Sequence, residues 1–134
     1  VVQVFDRSAP FSRQVLVAVG VGGAIGSTAR WAVAQIVATI GGEPPRATWP
    51  WATLVVNVVG CLAIGVAARR LGRHTTAWAF TVTGVLGGFT TFSALAVELN
   101  DLAEADRLPL AIMYGAVTLA AGVGATVLAA GRRP

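Results

Sequence analysis

An amide, two hydroxyls and a phenyl ring stand in the middle of apolar segments of this chain. Asn57 lies inside Thr53-Leu54-Val55-Val56-Asn57-Val58-Val59-Gly60-Cys61. Thr91, Phe92 and Ser93 close the run Thr83-Gly84-Val85-Leu86-Gly87-Gly88-Phe89-Thr90-Thr91-Phe92-Ser93. Amide and hydroxyl groups donate hydrogen bonds, and the positive edge of a phenyl ring can face an anion. On a helix Thr53, Asn57, Gly60 and Ile64 share one face, which sets Asn57 among small partners. The glycine-threonine run is a second signal. Irregular backbone at membrane depth survives only where protein covers it or where it lines a watery cavity. In transporters such breaks mark ion sites, because freed carbonyls and helix ends face them. Bond-breaking chemistry has no such support: the single His74 and the single Cys61 sit in unrelated segments with no ligand spacing.

The elements that must position these groups are membrane helices. Only 12% of the 134 residues are charged, against about 25% in an average soluble domain, and the mean hydropathy is +0.72. Apolar spans over 14–40, 51–68, 77–99 and 109–130 are each long enough to cross a hydrocarbon core, which takes about 20 residues. The sequence therefore predicts an all-α membrane protein, a single four-helix domain over 1–134 with its third helix broken. Gly20, Gly22, Gly23 and Gly26 suit close packing between membrane helices. Pro44 and Pro45 break the chain after the first span, and Trp49 and Trp51 suit the membrane interface. Residues 100–107 read as a polar, mostly acidic loop. The first apolar run is too long for a cleavable signal peptide. With four spans, Arg7, Arg13, Arg69, Arg70, Arg73, Arg132 and Arg133 share one side, and Arg46 and Arg107 the other. The positive-inside rule then places both termini in the cytoplasm. The pI near 11.1 does not signal nucleic acid, because the arginines are scattered over tails and loops without a basic groove or stacking aromatics.

Three stretches carry a family resemblance: Gly22-Gly23-Ala24-Ile25-Gly26-Ser27-Thr28-Ala29-Arg30-Trp31, the Asn57-Val58-Val59-Gly60 stretch, and Gly87-Gly88-Phe89-Thr90-Thr91-Phe92-Ser93. In that order, on matching spans, they resemble the Fluc (CrcB) fluoride channels of prokaryotic plasma membranes. The resemblance implies a fluoride-specific ion channel, not an enzyme, that lowers cytoplasmic fluoride by passive export. It implies an antiparallel, dual-topology dimer with two fluoride pathways. It implies a structural sodium ion at the dimer centre, held by backbone carbonyls at the positions of Gly87 and Thr90. It implies pore-lining roles for Asn57, Phe92 and Ser93, with Thr91 as a further hydroxyl donor, and a polar track through Tyr114 and Thr118. Arg30 matches an arginine of the electropositive vestibule, where positive lining concentrates anions.

The chain departs from the family pattern at four places. Leu95 stands where a second pore phenylalanine is usual and Ala94 where a threonine is usual. Trp31 replaces a tyrosine, and Thr118 a serine. An antiparallel homodimer needs a chain that inserts both ways, and seven arginines against two is a strong bias. The expectation is one half of a heterodimer with a homologous partner, a homodimer being the alternative. Two other classes fit poorly. A small four-helix proton-coupled multidrug exporter needs an acid deep in the first span, and 14–40 holds none. A dinucleotide-binding fingerprint would need glycine at Ile25.

Overall fold

The computed structural model describes residues 12–41 and 48–131, so Arg7, Pro44, Pro45, Arg46, Arg132 and Arg133 lie outside the described residues. Five helical elements follow one another: α1 (Arg13–Gly41), α2 (Trp51–Arg70), α3 (residues 76–89), α4 (Phe92–Glu104) and α5 (Leu108–Ala130). Helices α3 and α4 lie in one apolar span, Thr76–Glu104, and with the other three helices make four segments long and apolar enough to cross a membrane. The broken third helix is thus the α3–α4 pair, and no strand occurs among the described residues.

Local chemistry sets the ends. Arg69 and Arg70 occupy the last turn of α2, where cations favour the carbonyl end of the helix dipole. Thr75 caps α3 by accepting the Trp78 N–H at 3.1 Å. Pro109 lies in the first turn of α5, where its missing N–H costs nothing. Gly131 ends α5 at φ +66°, a conformation that glycine adopts freely.

One boundary differs from the sequence reading. Residues 100–107 were expected to form a loop, but α4 runs on to Glu104. Leu102 is the reason on one face: it is 2% exposed and packs with Leu95, Ala111 and Tyr114. On the other face Asn100 Nδ2 donates to Glu104 Oε1 at 2.8 Å, a side-chain pair one turn apart.

Helix α1 packs chiefly on α3, and α2 on α5, with α4 also against α5. The α1–α3 contact is backbone on backbone. A methyl group at Gly22 would meet the Phe80 carbonyl oxygen at 2.5 Å, and one at Gly26 would overlap the Val85 carbonyl oxygen. Small residues of this kind let membrane helices touch where no hydrophobic effect drives them together. Within α3 the stretch Ala79–Leu86 is π-helical, a wider turn that is frequent at functional sites. Outward-facing apolar side chains such as Leu16, Ile36, Val123 and Leu128 are each more than half exposed, as lipid contact requires.

Candidate functional site

The break between α3 and α4 occupies two residues. Thr90 still bonds as a helical residue, its N–H and its Oγ1 both donating to the Leu86 carbonyl at 2.9 Å. Its ψ then swings to 156°, and Thr91 is extended at φ −147° and ψ 124°. In an unbroken helix the N–H groups of Thr91, Phe92 and Ala94 would reach Gly87, Gly88 and Thr90. Here Thr91 N–H donates to Asn57 Oδ1 at 2.8 Å, and Asn57 Nδ2 donates back to the Thr91 carbonyl at 2.9 Å. One amide side chain thus pairs with a peptide as a neighbouring strand would. Ala94 N–H turns to Thr91 Oγ1 at 3.1 Å, so Thr91 caps the second half-helix. The Gly88 carbonyl accepts from Arg30 Nε at 3.2 Å. The carbonyls of Gly87 and Thr90 lose the N–H partners that a continuous helix would give them.

Two clefts meet at Thr91. One, of about 220 Å³, is lined by Asn57, Cys61, Thr90, Thr91, Phe92, Leu95, Thr118 and Gly122 among others. The other, of about 450 Å³, is lined by Ser27, Arg30, Trp31, Thr53, Thr91, Ala94 and Glu98 among others. Asn57, Thr91, Phe92 and Thr118 are therefore brought together in the smaller cleft, from α2, the break, α4 and α5. Phe92 is 73% exposed on the chain's own surface, whereas Thr118 is 3% exposed. The Ser93 hydroxyl lies 3.2 Å from Thr91 Oγ1, on a residue exposed at the chain's own surface and named in neither cleft's lining. Arg30 belongs to the larger cleft. Its guanidinium ties α1 to the break and also lines open space.

Tyr114 stands apart from both clefts. It is fully buried, and its hydroxyl donates to Glu98 Oε2 at 2.7 Å. Thr53 Oγ1 donates to Glu98 Oε1 at 2.6 Å. Glu98 thus holds one hydroxyl on each oxygen and joins α2, α4 and α5 within the membrane span. Trp49 packs edge-on against the Tyr114 ring, with centroids 5.3 Å apart. In the sequence Glu98 lies near the end of the apolar span 77–99, where a charge reads as interfacial. The signal available was its spacing: Glu98 follows Thr91 by two helical turns, on the same face.

Leu95 sits at the floor of the smaller cleft and is 2% exposed, packed with Leu102, Ala111 and Tyr114. A side chain at this position can be core and cleft wall at once. Ala94 lines the other cleft. These two of the four departures from the family pattern therefore line different clefts.

Comparison with known proteins agrees with the geometry. A family model described as CrcB-like protein, Camphor Resistance (CrcB), matches residues 17–130. The chain is 40% identical over 108 residues to the fluoride-specific ion channel FluC of Novosphingobium aromaticivorans, covering 78% of this chain and 84% of that one. It is 37% identical over 132 residues to FluC 2 of Nocardia farcinica, covering 93% and 89% of the two chains. It is 41% identical over 125 residues to FluC 1 of Streptomyces coelicolor, covering 87% and 75%. A multi-pass helical membrane protein whose helix break gathers an amide, hydroxyls and a phenyl ring, and whose sequence matches these relatives over most of its length, belongs to the CrcB family of Fluc fluoride ion channels.

Proposed function

We propose that this chain carries fluoride out of the cytoplasm, passively and down its gradient, as one subunit of an antiparallel dimer in the plasma membrane. The observation that carries this reading is the cleft at the break. Fluoride is small and strongly hydrated, so a pathway must replace water with donors. Asn57 spends one N–H and its oxygen on Thr91. An amide has two N–H donors, and the second remains for an anion. Phe92 adds a ring edge, and Ser93 and Thr91 add hydroxyls. Thr118 lines the same cleft from α5, while Tyr114, one turn away, gives its hydroxyl to Glu98 and braces the wall behind it. Arg30 raises the local anion concentration in the larger cleft. No step needs energy coupling: HF enters as the neutral acid, dissociates inside, and supplies the outward gradient.

The favoured partner is a homologous chain inserted the opposite way, with the termini of this chain cytoplasmic. The arginine bias supports it, as do relatives that bear the numbered names FluC 1 and FluC 2. A homodimer is the alternative reading. Reconstituted alone, this chain is expected to pass little fluoride, and flux is expected to appear when the homologous partner is added. Labelling of a C-terminal tag is expected on the cytoplasmic side only. Robust efflux from the chain alone, or tags on both sides, would sink the heterodimer.

The freed carbonyls of Gly87 and Thr90 fit a sodium ion, a hard cation that takes neutral oxygen ligands. Two copies of the break facing each other across a dimer axis would double that set. Replacing sodium by N-methylglucamine is expected to lower the thermal midpoint of the purified dimer, and restoring sodium to recover it. An unchanged midpoint would remove the ion from the structure's needs.

A further inference from the structure

The carboxylates among the described residues, Glu98, Asp101, Glu104 and Asp106, all lie on α4 or just after it. The other end of the bundle carries charge of the opposite sign. Arg69 and Arg70 close α2, Arg73 stands in the connection 71–75 to α3, and Arg13 opens α1. Helices α1 and α3 run the same way, because a methyl group on Gly22 would meet Phe80 and one on Gly26 would meet Val85. Arg13 therefore belongs to this end too. All four arginines are exposed, and none pairs with a carboxylate among the described residues. The connection that carries Arg73 is braced from within. Thr75 N–H and Oγ1 both donate to the Gly72 carbonyl, at 3.2 and 2.7 Å, and Thr75 Oγ1 accepts the Trp78 N–H. Arg73 and His74 thus stand at the corner of a closed turn. The Arg73 guanidinium carbon is 5.9 Å from the centre of the Trp78 ring, within cation–π reach. The Arg69 guanidinium carbon is 3.6 Å from where a methyl group on Gly131 would stand, so it lies against the end of α5.

Depth decides what anion meets these arginines. One apolar span ends at Arg70 and the next begins at Thr76, which sets the connection at headgroup level, with Trp78 in the interfacial belt. The abundant anion there is lipid phosphate, and basic clusters at the end of a membrane helix attract anionic headgroups. Arginine suits phosphate because its N–H donors come in a planar fork. We propose that Arg69, Arg70 and Arg73, with Trp78 behind Arg73, form a binding site for the headgroup phosphate of an anionic phospholipid. Arg13 adds to the positive field. A lipid held there bridges the end of α2, the start of α3 and the end of α5. Insertion bias asks only for the charge. The site asks also for the closed turn and the indole that hold Arg73, and that difference can be measured.

The test uses the full chain purified in detergent, with its partner subunit where assembly requires one. In micelles the direction in which a variant inserts has no bearing. Phosphatidylglycerol and phosphatidylcholine are titrated in turn, and binding is followed by native mass spectrometry. Replacing Arg69, Arg70 and Arg73 together by Gln is expected to weaken phosphatidylglycerol binding roughly a hundred-fold, at about five-fold per arginine. Phosphatidylcholine is expected to bind the unmodified protein more weakly by a similar factor. Arg107→Gln, at the acidic end, is expected to change nothing. Trp78→Leu keeps every charge and is expected to weaken phosphatidylglycerol about three-fold. If the triple variant does not elute as a folded protein, Arg73→Gln alone decides, at about five-fold. Equal binding of the two lipids, or binding indifferent to the arginines, would overturn the proposal. Indifference to Trp78→Leu would overturn the built site and leave a diffuse positive surface. Inorganic phosphate that raises the thermal midpoint as far as phosphatidylglycerol does would overturn the lipid as occupant in favour of a free anion.

Discussion

Asn57→Ala is expected to abolish fluoride efflux and to weaken the fold in the same stroke. The amide satisfies both polar groups of the Thr91 peptide, at 2.8 and 2.9 Å. Alanine leaves an N–H and a carbonyl unpaired at membrane depth, at about 1–3 kcal/mol each. Even about 3 kcal/mol added to a barrier is roughly a hundred-fold in rate. Loss of flux alone would not separate a pathway role from a bracing role, and Asn57→Asp does. That variant keeps an oxygen for the Thr91 N–H. When ionised it presents negative charge to the anion. When protonated it has one donor, which the Thr91 carbonyl claims, and none remains for fluoride. The expected result is a dimer that elutes normally from a sizing column, melts closer to the unmodified protein than the alanine variant does, and passes no fluoride. Near-normal efflux through Asn57→Asp would show that the amide only braces the break.

The parts of this site that were legible in the sequence are those whose signal is local. Thr90, Thr91 and Ser93 announce themselves because polar residues are costly in an apolar span, and Asn57 does so for the same reason, whereas Phe92 is legible only through the motif around it. What paired with what was not legible. Glu98 lies near the end of an apolar run, and a charge there reads as interfacial. Only the extension of α4 to Glu104 moves it inward, and its partners Thr53 and Tyr114 come from other helices. The π-helical stretch is likewise silent, since Ala79–Leu86 is apolar or small almost throughout and shows no face whose shift could be read. The first-span glycines were legible as packing residues, but not which of them leave no room for a side chain. A methyl group on Gly22 or Gly26 would meet the backbone of α3, whereas one on Gly20 or Gly23 would meet nothing within 4 Å.

Leu95 shows how the fold changes the weight of a motif departure. Read from the sequence, leucine in place of phenylalanine removes a ring from a pore wall. In the fold the same side chain also closes the core beneath Tyr114, whose hydroxyl holds Glu98. The substitution therefore joins the cleft's floor to the carboxylate network, and its effect on conduction is inseparable from how it packs.

Gly26→Ala is expected to destabilise the protein although alanine is the better helix former. Propensity alone favours the change by about 1 kcal/mol. Packing opposes it, because the new methyl group would overlap the Val85 carbonyl oxygen and stand 2.8 Å from the Phe89 nitrogen. Those atoms are backbone, in the segment that leads into the break, and cannot rotate away. Overpacking of this kind costs about 1–3 kcal/mol where side chains can adjust, and here α1 itself must move. That displacement draws Arg30 from the Gly88 carbonyl and loosens the break from outside. The expected result is a lower thermal midpoint together with reduced fluoride flux. Gly23→Ala, three residues earlier on the same helix, gains the same propensity with open space around it, and is expected to melt at or above the unmodified protein. If both variants melt alike, backbone contact between α1 and α3 is not what holds the break in place.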